Sequence, residues 1–398
     1  LSLHDALPIL SAVLLHGKRA VDRKDMWNIA IISEGCGGKL PIPNVRGGAV
    51  ETWITDLIRQ NEKAEGCHFD VFSCYDKEAK RYHFKNTKIR YFKTTWLEKM
   101  AAWLFNAFML KALHHRTFFL PYNWKVAHMT DWSKYDFILV ENGASIYEEI
   151  CKRPGTSGKM IYHLRNDIEC VDEVPWAERS DVRMRLISKT AVEVLTVSDF
   201  IRKRFLEYAP TEHIRTFYNC VDTERYSRKN AKNTAKIKKK YRIRDTNVVF
   251  MYSGRVMKEK GVLEAAKAFA MIADECENAI FIIAGRIEPK SYGTELRKAI
   301  RGLEDRVRFT GRISPYKMQE FYALADVLVA PTITEEAFGM ITVEAMAMEI
   351  PLIVTDSGGM GEIVTEKCAI TVYRNGELVK EIASAMRKLY YDDSGRVH

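Results

Sequence analysis

Short apolar runs alternate with stretches of helical periodicity along most of this 398-residue chain, and the alternation occurs twice. In the first half "WNIAIIS" (27–33), "HFDVFSC" (68–74), "DFILVEN" (136–142), "KMIYHL" (159–164) and "EVLTVS" (193–198) read as strands. Helical stretches lie between them, such as "AVETWITDLIRQNEKA", where Val50, Ile54, Leu57 and Ile58 recur on one face. The polar, basic stretch "SRKNAKNTAKIKKKYRIRD" (227–245) reads as a linker running into a first helix. The alternation then restarts with "VVFMYSG" (248–254), "AIFIIAG" (279–285), "VRFTG" (307–311), "VLVAP" (327–331) and "PLIVT" (351–355). Helices are expected from Val262 to Ala273, from Pro315 to Ala325 and from Phe338 onward. This pattern predicts an α/β chain with two doubly wound, mostly parallel sheets. A chain of this length is long for one core, which agrees with two domains, 26–226 and 227–398.

Composition removes several other classes. With 47% apolar and 28% charged residues, the chain is neither disordered nor fibrous. Sixty-one Lys and Arg against 52 acids give +9, which favours anionic partners: nucleic acid, a membrane surface or a phosphorylated small molecule. Eight scattered cysteines form no Cys-x-x-Cys pair, so neither a zinc site nor a disulfide framework is expected, and a reducing cytoplasm is. No apolar run approaches the roughly 18 residues of a spanning helix. "LSLHDALPI" at the start lacks the basic n-region of a signal peptide, and residues 1–25 read as a non-native leader ahead of Met26.

Residues 77–128 carry eleven Lys and Arg against Glu78 and Glu98, a local +9 equal to that of the whole chain. Within them Trp96, Met100, Trp103, Ala107 and Leu110 recur at helical spacing beside Lys93, Lys99 and Lys111. Two readings stay open: a peripheral contact with an anionic membrane, or a core helix with a solvated basic face.

The chemistry-bearing positions concentrate in the second half. From Ala337 to Met348 the sole charged side chain is Glu344, with Glu336 eight residues earlier. A carboxylate on such an apolar helix needs donors. The hydroxyls of a ribose would serve, and so would an Arg or Lys across the core. Arg255 and Lys260, in "SGRVMKEKGV", follow a strand end where the ligand crevice of such sheets opens, and together could clamp a diphosphate. "GGMGE" (358–362) and "PIPNVRGGAVE" supply glycine turns in which backbone can approach a ligand, Gly47 and Gly48 in the second.

In this order and spacing, Gly-Arg-x4-Lys-Gly, Val-x-Phe-x-Gly, Glu-x7-Glu enclosing Phe-Gly, and Gly-Gly-x-x-Glu resemble the family 4 glycosyltransferases. "GGAVE", "TVSDFIRKRF" (196–205) and "YNCVD" (218–222) extend the resemblance into the first half. It implies the GT-B fold: two Rossmann-like domains facing a central cleft, 26–226 on the acceptor side and 227–398 binding a nucleotide-sugar donor. It implies that Glu344 holds the donor ribose and that Glu336 reaches the transferred sugar. Arg255 and Lys260 would neutralise the diphosphate, and the amides of Gly47 or Gly48 would face it. His163, in "YHLRND", would lie near a distal hydroxyl of the sugar; a hydrogen-bonded core histidine is the other reading. Gly311 and Arg312 belong to the loop expected to cradle the base, and Phe338, Gly339 and Met340 to the donor-binding turn.

Departures from the family pattern are Glu349 for the usual glycine after "EAMA-x", "NCVD" for Asn-Gly-Val-Asp, and "GRIEP" (285–289) for Gly-x-Gly-Pro. They bear on loop shape and donor choice. No Asp-x-Asp motif is present to hold a metal on the diphosphate, so no metal or other cofactor is expected and protein cations would stabilise the leaving group. The resemblance implies retention at the anomeric carbon by front-face attack. A UDP-sugar donor and a bacterial cell-surface polysaccharide or glycolipid acceptor are expected, at a cytoplasmic site. The rivals are a GT-B sugar-nucleotide epimerase and a basic nucleic-acid binder. The second lacks any recognisable nucleic-acid module, and "GCGGKL" (35–40) fails the spacing of a dinucleotide fingerprint. The polar tail after one helix from about Glu377 to Leu389 reads as a chain cut short.

Overall fold

The computed structural model describes residues 26–33, 40–113, 119–168 and 180–392. The expected leader, the loop at 34–39, Arg116 of the basic stretch and the last six residues lie outside them. The chain divides into two compact units, one ending at Cys220 and the other beginning at Val221. This division falls six residues before the one expected at 226.

The first unit is a seven-stranded, all-parallel sheet in the order β3-β2-β1-β4-β5-β6-β7. Its strands are β1 (Trp27–Ser33), β2 (Cys67–Cys74), β3 (Thr87–Phe92), β4 (Phe137–Glu141), β5 (Met160–Leu164), β6 (Glu193–Thr196) and β7 (Ile214–Thr216). The helices between them are α1 (Ala49–Ala64), α2 (Trp96–Leu113), α3 (Pro121–His128), α4 (Ala144–Cys151), α5 (Ser180–Thr190) and α6 (Asp199–Tyr208). Ile29 on β1 pairs with Phe69 of β2 on one side and Phe137 of β4 on the other. That register aims one face of the central strands at α1, whose Trp53, Ile54, Leu57 and Ile58 fill the same core. Burial on both faces explains why the inner strands read as unbroken apolar runs. The edge strands β3 and β7 are exposed along one side and carry "TKIRYF" and "IRT"; lacking the apolar run, they escaped the sequence reading.

The second unit is a six-stranded parallel sheet, β10-β9-β8-β11-β12-β13. Here β8 is Val248–Ser253, β9 Ala279–Ala284, β10 Val307–Gly311, β11 Val327–Ala330, β12 Leu352–Thr355 and β13 Ala369–Val372. The helices are α7 (Thr234–Tyr241), α8 (Val262–Ile272), α9 (Tyr292–Ala299), α10 (Met318–Tyr322), α11 (Met340–Ala347) and α12 (Leu378–Tyr391). Phe250 and Phe281 from the sheet, Phe269 from α8 and Ile382 and Met386 from α12 share its core.

Three expectations change. The stretch taken as a linker is packed into the second unit: Arg228 donates to the carbonyls of Met348 and Ala325, each at 3.0 Å, and Ile237 and Ile243 are buried. The helix expected from Pro315 is a 3-10 turn, Pro315–Lys317, followed by the short α10. α11 begins at Met340, because Gly339 at φ 91° lies in the left-handed region and cannot continue a right-handed helix from Phe338.

In each sheet the strand order reverses once, between β1 and β4 and between β8 and β11. Ligand crevices in open parallel sheets lie at the carboxyl ends of strands flanking that reversal.

Candidate functional site

In the second unit, the residues after β8 and β11 meet at the reversal point. Gly261 closes the 3-10 turn Lys258–Lys260 in the left-handed conformation, φ 64°. A Cβ there would sit 1.8 Å from the carbonyl oxygen of Pro331, the residue just after β11. The turn therefore lies flat on the β11 exit, and the Ile333 amide donates to Glu259 O at 3.0 Å to hold it. This contact brings Lys260 Nζ onto the Glu336 carboxylate, both half-buried. Glu336 is fixed from the other side by the glycine turn after β12. Its amide donates to Ser357 Oγ at 2.9 Å, and its carbonyl accepts from the Gly359 amide at 2.8 Å.

Arg255 is exposed beside this pair, and no ion pair engages its guanidinium among the described residues. Its carbonyl accepts from Tyr252 Oη at 2.6 Å. Burial pushes the Tyr252 phenol well above its usual range, with the Glu336 charge adding to the effect. Lys260 and Glu336, to which the resemblance assigned separate duties, are thus one ion pair here. Gly311, at φ 69°, stands open at the end of β10 beside exposed Arg312, and Phe338 is buried.

Two phenols supply Glu344 with hydrogen bonds. Tyr226 Oη donates to its Oε1 at 3.0 Å and Tyr322 Oη to its Oε2 at 2.8 Å. Tyr322 is fully buried, and burial together with the Glu344 charge holds its phenol far above the usual value. The carboxylate itself is half-buried, less enclosed than its apolar sequence context suggests. A helix of apolar residues does not bury every face, and this position looks outward from the core. Neither tyrosine was singled out from sequence, although Tyr226 ends the "YNCVDTERY" segment.

In the first unit a second polar group gathers at the carboxyl ends of β1, β4 and β5. Glu141 ends β4, and Arg165 Nε donates to its Oε2 while His163 Nδ1 lies 3.3 Å from Oε1. The Arg165 guanidinium also donates to Asn219 Oδ1 and stacks on Trp53 with its carbon 3.8 Å from the ring centroid. Burial alone would raise the Glu141 carboxyl, but Arg165 and His163 hold it below the ordinary range. Burial and then Arg165 press the His163 pKa down against the pull of Glu141, so the imidazole is neutral at pH 7. Its Nε2 is buried with no hydrogen-bond partner of good geometry among the described residues, and the backbone of Phe217 also lies close enough to the ring to raise its pKa. His163 is therefore a hydrogen-bonded interior histidine.

Glu51, from "GGAVE", lies under the Gly47–Gly48 turn. Ser33 Oγ donates to its Oε1 at 3.4 Å, and burial pushes its carboxyl up to about 7. A Cβ on Gly48, at φ 119°, would meet Glu51 Oε2 at 2.0 Å, so glycine is required there. The Gly47 amide is not open to a ligand in this arrangement, because it donates to Asn44 Oδ1 at 2.6 Å. Glu141, Arg165 and Glu51 were missed as site residues; "YHLRND" and "GGAVE" were noticed for the histidine and the glycines alone. Among the described residues no group of three or more His, Cys, Asp or Glu is placed to hold a metal ion.

Comparison with known proteins fits this geometry. Residues 233–397 match the family model described as "Glycosyl transferases group 1". The lipopolysaccharide 1,2-N-acetylglucosaminetransferase of Salmonella typhimurium is 25% identical over 267 residues, 65% of this chain and 65% of its own. The match therefore spans just under two thirds of that relative's length. The putative glycosyltransferase YtcC of Bacillus subtilis is 25% identical over 371 residues, 90% of this chain and 82% of its own. Among solved structures, Anabaena HepE in complex with UDP and glucose superposes with a TM-score of 0.66 at 19% identity, covering 93% of this chain and 91% of HepE. That likeness shows the fold, GT-B. The second unit is thus similar, over residues 233–397, to the glycosyl transferases of group 1.

Proposed function

We propose that this protein transfers a hexose from a nucleotide-diphosphate sugar, a UDP-sugar by preference, to a cell-surface polysaccharide or glycolipid acceptor, with retention at the anomeric carbon. The observation that carries the reading is the set Arg255, Lys260 and Glu336 at the reversal point of the second sheet. Two cations stand where strand ends open, one unengaged by an ion pair among the described residues and one held by a carboxylate that a diphosphate would displace. Charge grows on the leaving phosphate as the glycosidic bond breaks, and preorganised cations stabilise that charge without a metal. Glu344, presented by two phenols, offers its carboxylate to the ribose hydroxyls. A relative that acts on lipopolysaccharide, and a structural neighbour solved with UDP and glucose, support the donor and acceptor classes.

The test is release of nucleoside diphosphate from UDP-, GDP- and ADP-hexoses, followed by phosphorus NMR with and without EDTA, and proton NMR of the product's anomeric centre. Release from one donor class, insensitive to EDTA and reduced about a hundredfold or more by Lys260→Ala, is expected, since removing one preorganised donor costs about 2.7–4 kcal/mol. Activity lost to the chelator and restored by manganese overturns the metal-free mechanism. Release with an isomerised free sugar and no transferred product identifies an epimerase instead.

A further inference from the structure

The basic segment has a structural feature that the transfer chemistry does not use. α2 is apolar around its whole circumference, yet it stands in solvent: Trp96 is 71% exposed, Leu97 63%, Trp103 69%, Leu104 55% and Phe108 60%. The single-faced amphipathic helix expected from the sequence is therefore not what forms. Of the helix residues with described side chains, Ala102 alone is buried. A helix that is hydrophobic all round is ordinarily found in a core, and a contiguous apolar surface of this kind marks an interaction site.

Polar contacts fasten α2 to α3 and to the residues just before it. Lys125 pairs with Glu98 at 2.6 Å, and Asn106 exchanges hydrogen bonds with the backbone of Phe119 at 2.7 and 3.2 Å. Beside these polar contacts, Ala102 is buried and Phe105 packs edge-on against Phe119, while most of the other apolar residues of the helix remain uncovered.

The charges around α2 choose the occupant. Lys93 precedes it, and Lys99 and Lys111 lie on it; none of the three has an ion-pair partner among the described residues. Its one acid, Glu98, is neutralised by Lys125. A second copy of this chain would set lysines against lysines. Indoles with free apolar rims among unpaired ammonium groups suit the boundary between lipid head groups and acyl chains. No described helix is long and apolar enough to cross a membrane.

We propose that α2 lies in the surface of an anionic lipid bilayer, with Trp96, Trp103, Leu104 and Phe108 among the acyl chains and Lys93, Lys99 and Lys111 at the head groups. This goes beyond the transfer reaction and does not depend on it.

The experiment is flotation of the full chain with phosphatidylcholine vesicles, with and without phosphatidylglycerol. The full chain should float with the anionic vesicles and dissociate as salt rises. Lys93→Gln, Lys99→Gln and Lys111→Gln together should weaken binding about a hundredfold, since each charge near such a surface contributes about a factor of five. Trp96→Ser with Trp103→Ser should abolish flotation while leaving the melting temperature in place, because both indoles are exposed. The wild-type indole emission should shift to the blue on binding. No flotation of the wild type, or a triple lysine variant that floats like it, overturns the proposal. Self-association abolished by Trp103→Ser without lipid binding makes the occupant a second copy, which also overturns it.

Discussion

Two carboxylates show how differently one residue type behaves when its neighbours differ. Glu344 receives two phenolic hydrogen bonds and stays half-open. If it binds the donor ribose through charge-assisted bonds of about 1.5–3 kcal/mol each, Glu344→Gln should weaken nucleotide binding tenfold or more in calorimetry. Tyr226→Phe should weaken it less. Unchanged affinity in Glu344→Gln would mean that this carboxylate serves the fold and not the donor. Glu51 is buried with little compensation, so its carboxyl titrates near 7 where an ordinary glutamate titrates at 4.5. Between those values the folded state holds a proton that the unfolded chain has lost. Stability from this group is therefore complete below about 4.5 and drains away as pH rises to about 7. Glu51→Gln cannot lose that proton. Its stability relative to wild type should rise by up to about 3 kcal/mol between pH 4 and pH 8, measured by urea denaturation at both.

At the scale of elements, the turn Lys258–Lys260 is the most consequential short piece in the second unit. It places Lys260 on Glu336, and it can lie against the β11 exit because Gly261 has no side chain. Gly261→Ala puts a methyl group 1.8 Å from Pro331 O in a left-handed backbone. The turn must lift, with an expected loss of at least about 2 kcal/mol in chemical denaturation and a fall in turnover beyond what stability explains. An alanine variant with wild-type stability and activity would show that the turn does not rest on the Pro331 carbonyl. The edge strands make a complementary point. β3 carries Lys88 and Arg90, and Arg90 is tied to Asp70 of β2 at 2.8 Å. Charge on an edge strand guards against unwanted pairing, and the same charges interrupt the apolar run by which the inner strands are recognised.

For the whole molecule, two sheets with separate cores imply two cooperative units. Residues 221–398 expressed alone should melt in a single transition and, if the donor reading holds, bind a uridine nucleotide measurably by calorimetry. Absence of a cooperative melt would show that this unit needs the first to fold. The start point matters. The segment 221–245, of which 227–245 reads from sequence as a linker running into a helix, brings Tyr226 to Glu344 and Arg228 to the carbonyls of Met348 and Ala325. A fragment begun after it would lose those contacts.

The amino-acid sequence alone determined the doubly wound class, the inner strands and the place of the glycine turns, because buried parallel strands, helical periodicity and left-handed turns each demand particular residue types locally. It also marked Arg255, Lys260, Glu336 and Glu344 as a set. What each of them touches was decided by the tertiary structure. That Glu344 takes hydrogen bonds from two tyrosines, and that Lys260 is paired, depends on residues 22 to 118 positions away. No local pattern encodes such distant partners. The exposure of α2 was equally hidden: an apolar helix has one composition whether it fills a core or waits for a surface, and only the packing around it tells the two apart.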